Sequence, residues 1–404
     1  MTRCSQIDEL ARLFFIFLKL GCTSFGGPVA HLGYFRQEFV VTRRWFDEQA
    51  YSDMVALCQF LPGPASSQVG MAIGMQRAGI AGAMVSFAGF TLPSALLLVL
   101  FALGLHDVAA HWGSGWLHGL KIVAVAVVAQ ALWGMGKSMA PDARRASIAV
   151  AAAVMVTVMP SPSAQIVVIM LAAGAGILLL DTSIRSPSSE ERAVVPSDRM
   201  HGRFVGLLYL LLFLVLLALL PVVAEKSGSY LLHLMSGFYR SGALVFGGGH
   251  VVLPLLQALV VPPGWVSNDN FLAGYGAVQA VPGPLFTFAA YLGAMSTQNP
   301  NSWLGALMAT LAIFLPGFLL VAAAMPWWHS LRHALRMRRA MLGVNAAVLG
   351  ILVSAFYQPV WTSAIHTPTD FCLGLLALLL LVWWKCPPWL VVLLSALAGG
   401  WLAT

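Results

Sequence analysis

The hexapeptide Gln59-Phe-Leu-Pro62-Gly63-Pro64 returns 220 positions later as Gln279-Ala-Val-Pro282-Gly283-Pro284. Ahead of it, Phe25-Gly26-Gly27-Pro28 returns 221 positions later as Phe246-Gly247-Gly248-Gly249. Each of these is preceded by one cation at the same offset, Lys19 and then Arg240. Trp45 finds Trp265, and Leu92-Pro93 finds Leu315-Pro316 with a small slip. A repeat of this length is one structural unit used twice. It divides the chain into an N-terminal repeat over 1–180, a polar linker with one extra helix over 181–226, and a C-terminal repeat over 227–404.

Both units must fold away from water. Hydrophobic residues make up 59% of the chain and charged ones 9%, against about 25% charged in a soluble domain. A spanning helix needs roughly 20 apolar residues. The runs that qualify or come near are Ala81–Gly104, Leu117–Lys137, Ala146–Met159, Ala164–Leu180, Phe204–Ala224, Leu304–Pro326, Met341–Tyr357, Thr369–Trp384 and Pro388–Leu402. The net charge of +7 then reflects basic loop ends on one side of a membrane, not a nucleic-acid partner. Leu13–Leu18 with its flanking arginines imitates a signal peptide, but no small-residue cleavage pattern follows, and Lys19 belongs to the repeat. The five cysteines form no pattern that suggests disulfides or zinc.

Charge placement predicts opposite orientations for the two repeats. Arg36, Arg43 and Arg44 follow the first Gly-Gly motif, whereas Leu255–Asn270 carries no Lys or Arg. The loop Leu105–Trp116 has none, whereas its counterpart His329–Arg339 has Arg332, Arg336, Arg338 and Arg339. Positive residues favour the cytoplasmic side, so the repeats are expected to be inverted. The extra helix Phe204–Ala224 supplies the odd crossing, and the polar stretch Asp181–Arg203 reads as a solvated linker.

Glu48–Leu61 and Ala65–Gln76 are too short to span, and Pro62-Gly63-Pro64 separates them. Proline interrupts the helical ladder, so a hairpin of two re-entrant half-helices is expected here and again at Pro282-Gly283-Pro284. Irregular backbone survives at membrane depth only when buried in protein or lining a cavity. The expected fold is therefore an all-α integral membrane protein with two inverted-topology repeats and broken half-helices, the pattern of a secondary transporter.

Half-helix N-termini present unpaired N–H groups and partial positive charge, which suits an anion. Gly26, Gly27, Gly247 and Gly248 permit close backbone approach. Gln59, Ser66, Ser67, Gln68 and Gln279 offer neutral hydrogen bonds, and Lys19, Arg36 and Arg240 offer charge. Arg36 has the better geometry for an oxyanion because guanidinium is a rigid fork, and the second repeat has Gln257 in its place. His31, Glu38, Asp53 and His250 are candidates for proton coupling.

Other signals are weak. Gly136-Lys137-Ser138 lacks the upstream glycine of a phosphate loop. His106, His111 and His118 sit at no metal-ligand spacing and read as interfacial. Cys386-Pro387-Pro388 resembles a metal-pump step without the ATP-hydrolysing domain such a pump needs. Neither a metal site nor a cofactor motif is expected. A membrane-bound reductase would require a redox cofactor, so an enzyme is not expected, and an anion channel is the other rival.

Lys19-Leu-Gly-x-x-Ser-Phe-Gly-Gly-Pro-x-Ala-His-Leu-Gly-Tyr-Phe-Arg36, followed by Gln59-x-Leu-Pro-Gly-Pro-x-Ser-Ser-Gln68, resembles the chromate ion transporter family in its long, two-domain form. Phe246-Gly-Gly-Gly-His250 and Gln279-x-x-Pro-Gly-Pro284 resemble its C-terminal domain. The resemblance implies chromate efflux across the bacterial inner membrane and chromate resistance, with sulfate handled by related members. It makes chromate, sulfate and membrane lipid the expected partners, with a homodimer open to the chain. A sulfate-type oxyanion permease is the alternative within the same class.

Overall fold

The computed structural model of the chain describes residues 3–112, 115–159, 162–180, 199–246, 249–327 and 335–402. Among these it is helical throughout, with no strand. Helices keep every backbone hydrogen bond inside the segment, which an apolar surrounding demands. Five are long and apolar enough to cross a membrane: Ala65–Leu105, Gly115–Met139, Gly202–Ser227, Ser302–Trp327 and Leu335–Ala364.

The first repeat runs through α1 (Arg3–Thr23), α2 (Gly27–Arg36), α3 (Glu48–Phe60), α4 (Ala65–Trp112), α5 (Gly115–Met139), α6 (Ala143–Val158) and α7 (Pro162–Leu179). The extra helix is α8 (Arg199–Ser227). The second repeat continues with α9 (Tyr230–Ala243), α10 (Val252–Val260), α11 (Asn268–Val278), α12 (Phe288–Met295), α13 (Ser302–Ala324), α14 (Leu335–Ala355), α15 (Pro368–Val382) and α16 (Pro388–Leu402). Most of the linker Asp181–Arg203 lies outside the described residues, as do Gly247 and Gly248.

The helix break expected at the first Pro-Gly-Pro is present. α3 ends at Phe60, and a new helix starts at Ala65. That helix bends at Ala78 and Gly79, where φ and ψ leave the helical region. The segment Ala65–Arg77 therefore runs into the following span without a loop, because Gly79 takes φ +61° at little steric cost. The sequence expectation had placed these as two separate helices. Around the second Pro-Gly-Pro, α11 has 11 residues. The chain restarts with one turn of 3-10 helix, Leu285–Thr287, before the 8 residues of α12.

The packing interlocks the repeats. α1 lies along α4, and the equivalent α9 lies along α13. The next helix of each repeat leaves its own half: α5 packs on α11, α15 and α16, and α14 packs on α6 and α7. Glycine allows the backbones to touch in both places, as small residues do between membrane helices. A methyl carbon on Gly119 of α5 would lie 2.0 Å from the Ser395 carbonyl of α16. One on Gly343 of α14 would lie 2.0 Å from the Ala172 carbonyl of α7.

Apolar side chains also cover the outside. α8 packs on α9 and α13 but leaves Phe204, Leu207, Leu211 and Leu219 exposed, with 11% of its apolar window buried. Such a surface suits lipid and not water.

Candidate functional site

The two breaks meet each other crosswise. The Gly63 amide donates to the Val245 carbonyl at 2.7 Å, and the Gly283 amide donates to the Ser24 carbonyl at 2.9 Å. Gly63 and Gly283 are equivalent under the repeat, and so are Ser24 and Val245. Each Pro-Gly-Pro is thus held by the Gly-Gly break of the opposite half. Gly63 and Gly283 take φ +124° and +104°, which only glycine adopts readily. A methyl on Gly63 would approach Gln68 Nε2 at 2.9 Å and the Gly317 backbone of α13 at 3.4 Å. One on Gly283 would approach Ser94 Oγ of α4 at 2.8 Å. Gly249 lies beside Pro28, its methyl position 3.5 Å from the proline ring.

Around this crossing the first repeat is polar. Ser24, His31, Ser66, Ser67, Gln68 and Thr91 are all buried. His31 Nδ1 lies 3.3 Å from Ser66 Oγ, and the imidazole meets the edge of Phe90 with centroids 5.4 Å apart. Gln68 Nε2 donates to the Pro62 carbonyl at 2.9 Å, which ties the new half-helix to the break it follows. Five polar atoms here have no protein partner: Ser24 Oγ, His31 Nε2, Ser67 Oγ, Gln68 Oε1 and Thr91 Oγ1. Buried polar groups are nearly always paired, so such a cluster is set for a ligand or water.

The second repeat differs chemically at the same depth. Phe286 and Phe288 stand where the first has Ser66 and Gln68, and both are buried. Thr287, equivalent to Ser67, donates to the Pro284 carbonyl at 2.6 Å and is spent on its own turn. Gln279 is half-buried with its Nε2 unpaired. His250 Nδ1 lies 2.7 Å from the Tyr275 hydroxyl.

The charged candidates stand apart from the buried cluster. Arg36 is exposed at the end of α2 and forms two contacts to Glu48, one of them Nε to Oε2 at 2.9 Å. Its fork is occupied by a carboxylate. Glu38 accepts from Arg43 Nε at 2.7 Å, and Asp53 lies 3.5 Å from Gln49 Nε2. Gln59 and Gly26 are exposed, and Gly27 is half-buried. Lys19 is exposed and Arg240 half-buried, each in the last turns of the helix leading into its break. Neither has a side-chain hydrogen bond or ion pair among the described residues. Gly247 and Gly248 lie outside the described residues.

Ser24 and Thr91 were not singled out from sequence. Ser24 had a readable signal: under the repeat it faces Val245, a polar-for-apolar exchange next to the break. No group of three or more His, Cys, Asp or Glu among the described residues is placed to hold a metal ion.

The profile of the family described as chromate transporter matches residues 11–177 and 232–400, two segments that begin 221 positions apart. The chain is 27% identical over 400 residues to a probable chromate transport protein of Synechococcus elongatus, covering 97% of this chain and 95% of that one. It is 26% identical over 413 residues to a chromate transport protein of Pseudomonas aeruginosa, covering 97% and 92%. An uncharacterized transporter of Bacillus subtilis is 25% identical over 173 residues, 42% of this chain and 95% of the relative. No solved structure matches the chain.

Proposed function

The chain belongs to the chromate transporter family, and from that premise we propose that it exports chromate from the bacterial cytoplasm across the inner membrane and so confers chromate resistance. The observation that carries the reading is the crossing of the two breaks, with the unpaired buried hydroxyls of Ser24 and Ser67 and the His31 Nε2 beside it. A tetrahedral dianion accepts hydrogen bonds on every side. The hydroxyls of Ser24 and Ser67, the His31 imidazole and the first N–H groups of the half-helix at Ala65 would surround it with donors. Lys19 and Arg240 would supply positive charge on the way in, and Gln279 a donor from the opposite half.

The repeats lie inverted in the membrane in this reading, with the Pro-Gly-Pro hairpins re-entering to mid-depth. Because α5 and α14 are exchanged between the halves, the bodies that rock to give alternating access each hold helices of both repeats. The crosswise bonds would keep the two breaks together while the outer ends of the helices part. His31 is the best placed proton carrier, since Glu38 is held by Arg43. Arg36 is held by Glu48 at the surface, away from the central groups. The neutral character of the central groups fits sulfate as well as chromate, because the two ions share charge and shape. Sulfate is thus a second substrate or the exchanged counter-ion.

Flux of radiolabelled chromate and sulfate in proteoliposomes, under imposed pH and anion gradients, tests this. Saturable chromate flux stimulated by an anion or a proton on the opposite side is expected. Flux linear in concentration with no stimulation would make the protein a channel and overturn the proposal.

A further inference from the structure

A cavity of about 560 Å³ opens where α5, α11 and α15 begin, away from the crossing of the breaks. It draws its lining from both repeats: His118 and Lys121 from the first, and Asp269, His366, Thr367 and Asp370 from the second. In a chain with 9% charged residues, such a concentration of ionisable groups is a built feature.

The groups divide into fixed and free ones. Asp370 is buried and anchored: its Oδ2 accepts from the backbone amides of His366 and Thr367 at 3.0 and 2.9 Å, and its Oδ1 lies 2.8 Å from His118 Nε2. Its charge is used at the start of α15. His366 stacks beside His118, with centroids 6.2 Å apart. Lys121 and Asp269 are different. Their charged atoms are 3.0 Å apart, but the lysine side chain is 13% exposed and the aspartate side chain 72%. The cation is fixed in the cavity wall, and its counter-ion stands in solvent. Water screens an exposed carboxylate and leaves its ion pair worth little. A more highly charged anion can therefore displace it.

We propose that this cavity is an oxyanion vestibule in which a tetrahedral dianion binds Lys121 in exchange for Asp269. The ligand class rests on the transport reading above. Lys121 supplies the charge; the Nε2 atoms of the two histidines are already paired, with Asp370 Oδ1 and with the Ser363 carbonyl. Asp269 sits in the first turn of α11, whose other end runs into Pro282-Gly283-Pro284. The exchange therefore takes place at the start of the half-helix that leads to the central site, and the packing of α11 on α5 holds that half-helix in place through it.

The test uses the full chain in detergent, with sulfate titrated at constant ionic strength and thermal unfolding as the readout. The wild type is expected to show a saturable rise in melting temperature. Asp269→Asn removes the competitor and should lower the half-saturating sulfate concentration severalfold. Lys121→Gln should raise it about tenfold or more, the effect of losing one charge-assisted hydrogen bond, and Lys121→Arg should restore most of it. Asp142→Asn, in the separate pair with Arg145, controls for net charge and should leave it unchanged. If Asp269→Asn and Lys121→Gln both keep the wild-type half-saturation, the vestibule is refuted. Sulfate and chromate flux measured alongside separates the two ideas: absent flux in the wild type removes the transport reading, whereas normal saturable flux with unchanged half-saturation removes the vestibule alone.

Discussion

Gly63 donates its amide hydrogen to the carbonyl of Val245 at 2.7 Å, across 182 positions of sequence. The repeat supplies the same bond in reverse, from Gly283 to Ser24. A helix break leaves amides and carbonyls without partners, and in an apolar surrounding each costs several kcal/mol. Here each break satisfies the other. Neither break could be built alone without losing those bonds, which gives a physical reason for finding the unit in duplicate. Among the described residues the first repeat brings five unpaired polar atoms to the shared frame and the second brings Gln279 Nε2, so the frame is symmetric and its chemistry is not.

That asymmetry separates two hydroxyls at equivalent positions. Ser67 Oγ is buried and unpaired, whereas Thr287 Oγ1 is bonded to the Pro284 carbonyl. Ser67→Ala should lower chromate or sulfate flux about tenfold, the value of one hydrogen bond to an ion, with melting temperature unchanged or raised. Thr287→Val should cost about 1 kcal/mol of stability and leave the half-saturating anion concentration as it was. The reverse result in paired flux and unfolding measurements would move the site to the second repeat.

Arg36 and Glu48 should behave as one unit. Their side chains are about half exposed, 52% and 57%, so water screens the pair and it contributes little to stability. Arg36→Lys and Glu48→Gln are each expected to reduce flux by less than tenfold and by similar factors. If Arg36 bound substrate directly, Glu48→Gln would free the guanidinium and strengthen binding while Arg36→Lys weakened it. Dose curves for the two single variants and the double variant decide between these outcomes.

If the two repeats are inverted, Thr369 and Arg336 lie on opposite sides of the membrane. Both residues are exposed near the starts of α15 and α14. In a chain whose five native cysteines are replaced by serine, a single cysteine at Thr369 should react with a membrane-impermeant thiol reagent on intact cells. A single cysteine at Arg336 should react only after the cells are opened. Equal labelling on intact cells would exclude the inversion.

The amino-acid sequence by itself determined the membrane class, the duplication and where helices stop. These are local or periodic properties: 20-residue apolar runs, a fixed offset, and proline and glycine at the breaks. The helix bounds agree with the expected runs to within a few residues at most ends, as for Leu117–Lys137 against Gly115–Met139. The sequence also marked Ser66, Ser67 and Gln68, because they follow a proline at a helix start. What it left open was partnership. Lys19, Arg36 and Arg240 were all candidates as cations near a break, with Arg36 favoured for its guanidinium fork, and only packing showed that Arg36 is engaged by Glu48 while the other two are not. Ser24, Thr91 and the pairing of His118 with Asp370 depend on contacts between distant segments: Ser24 meets Gly283 across 259 positions and His118 meets Asp370 across 252. The exchange of α5 and α14 between the halves depends on backbones meeting at Gly119 and Gly343. Such contacts are set by how whole helices fit together, and no local pattern encodes them.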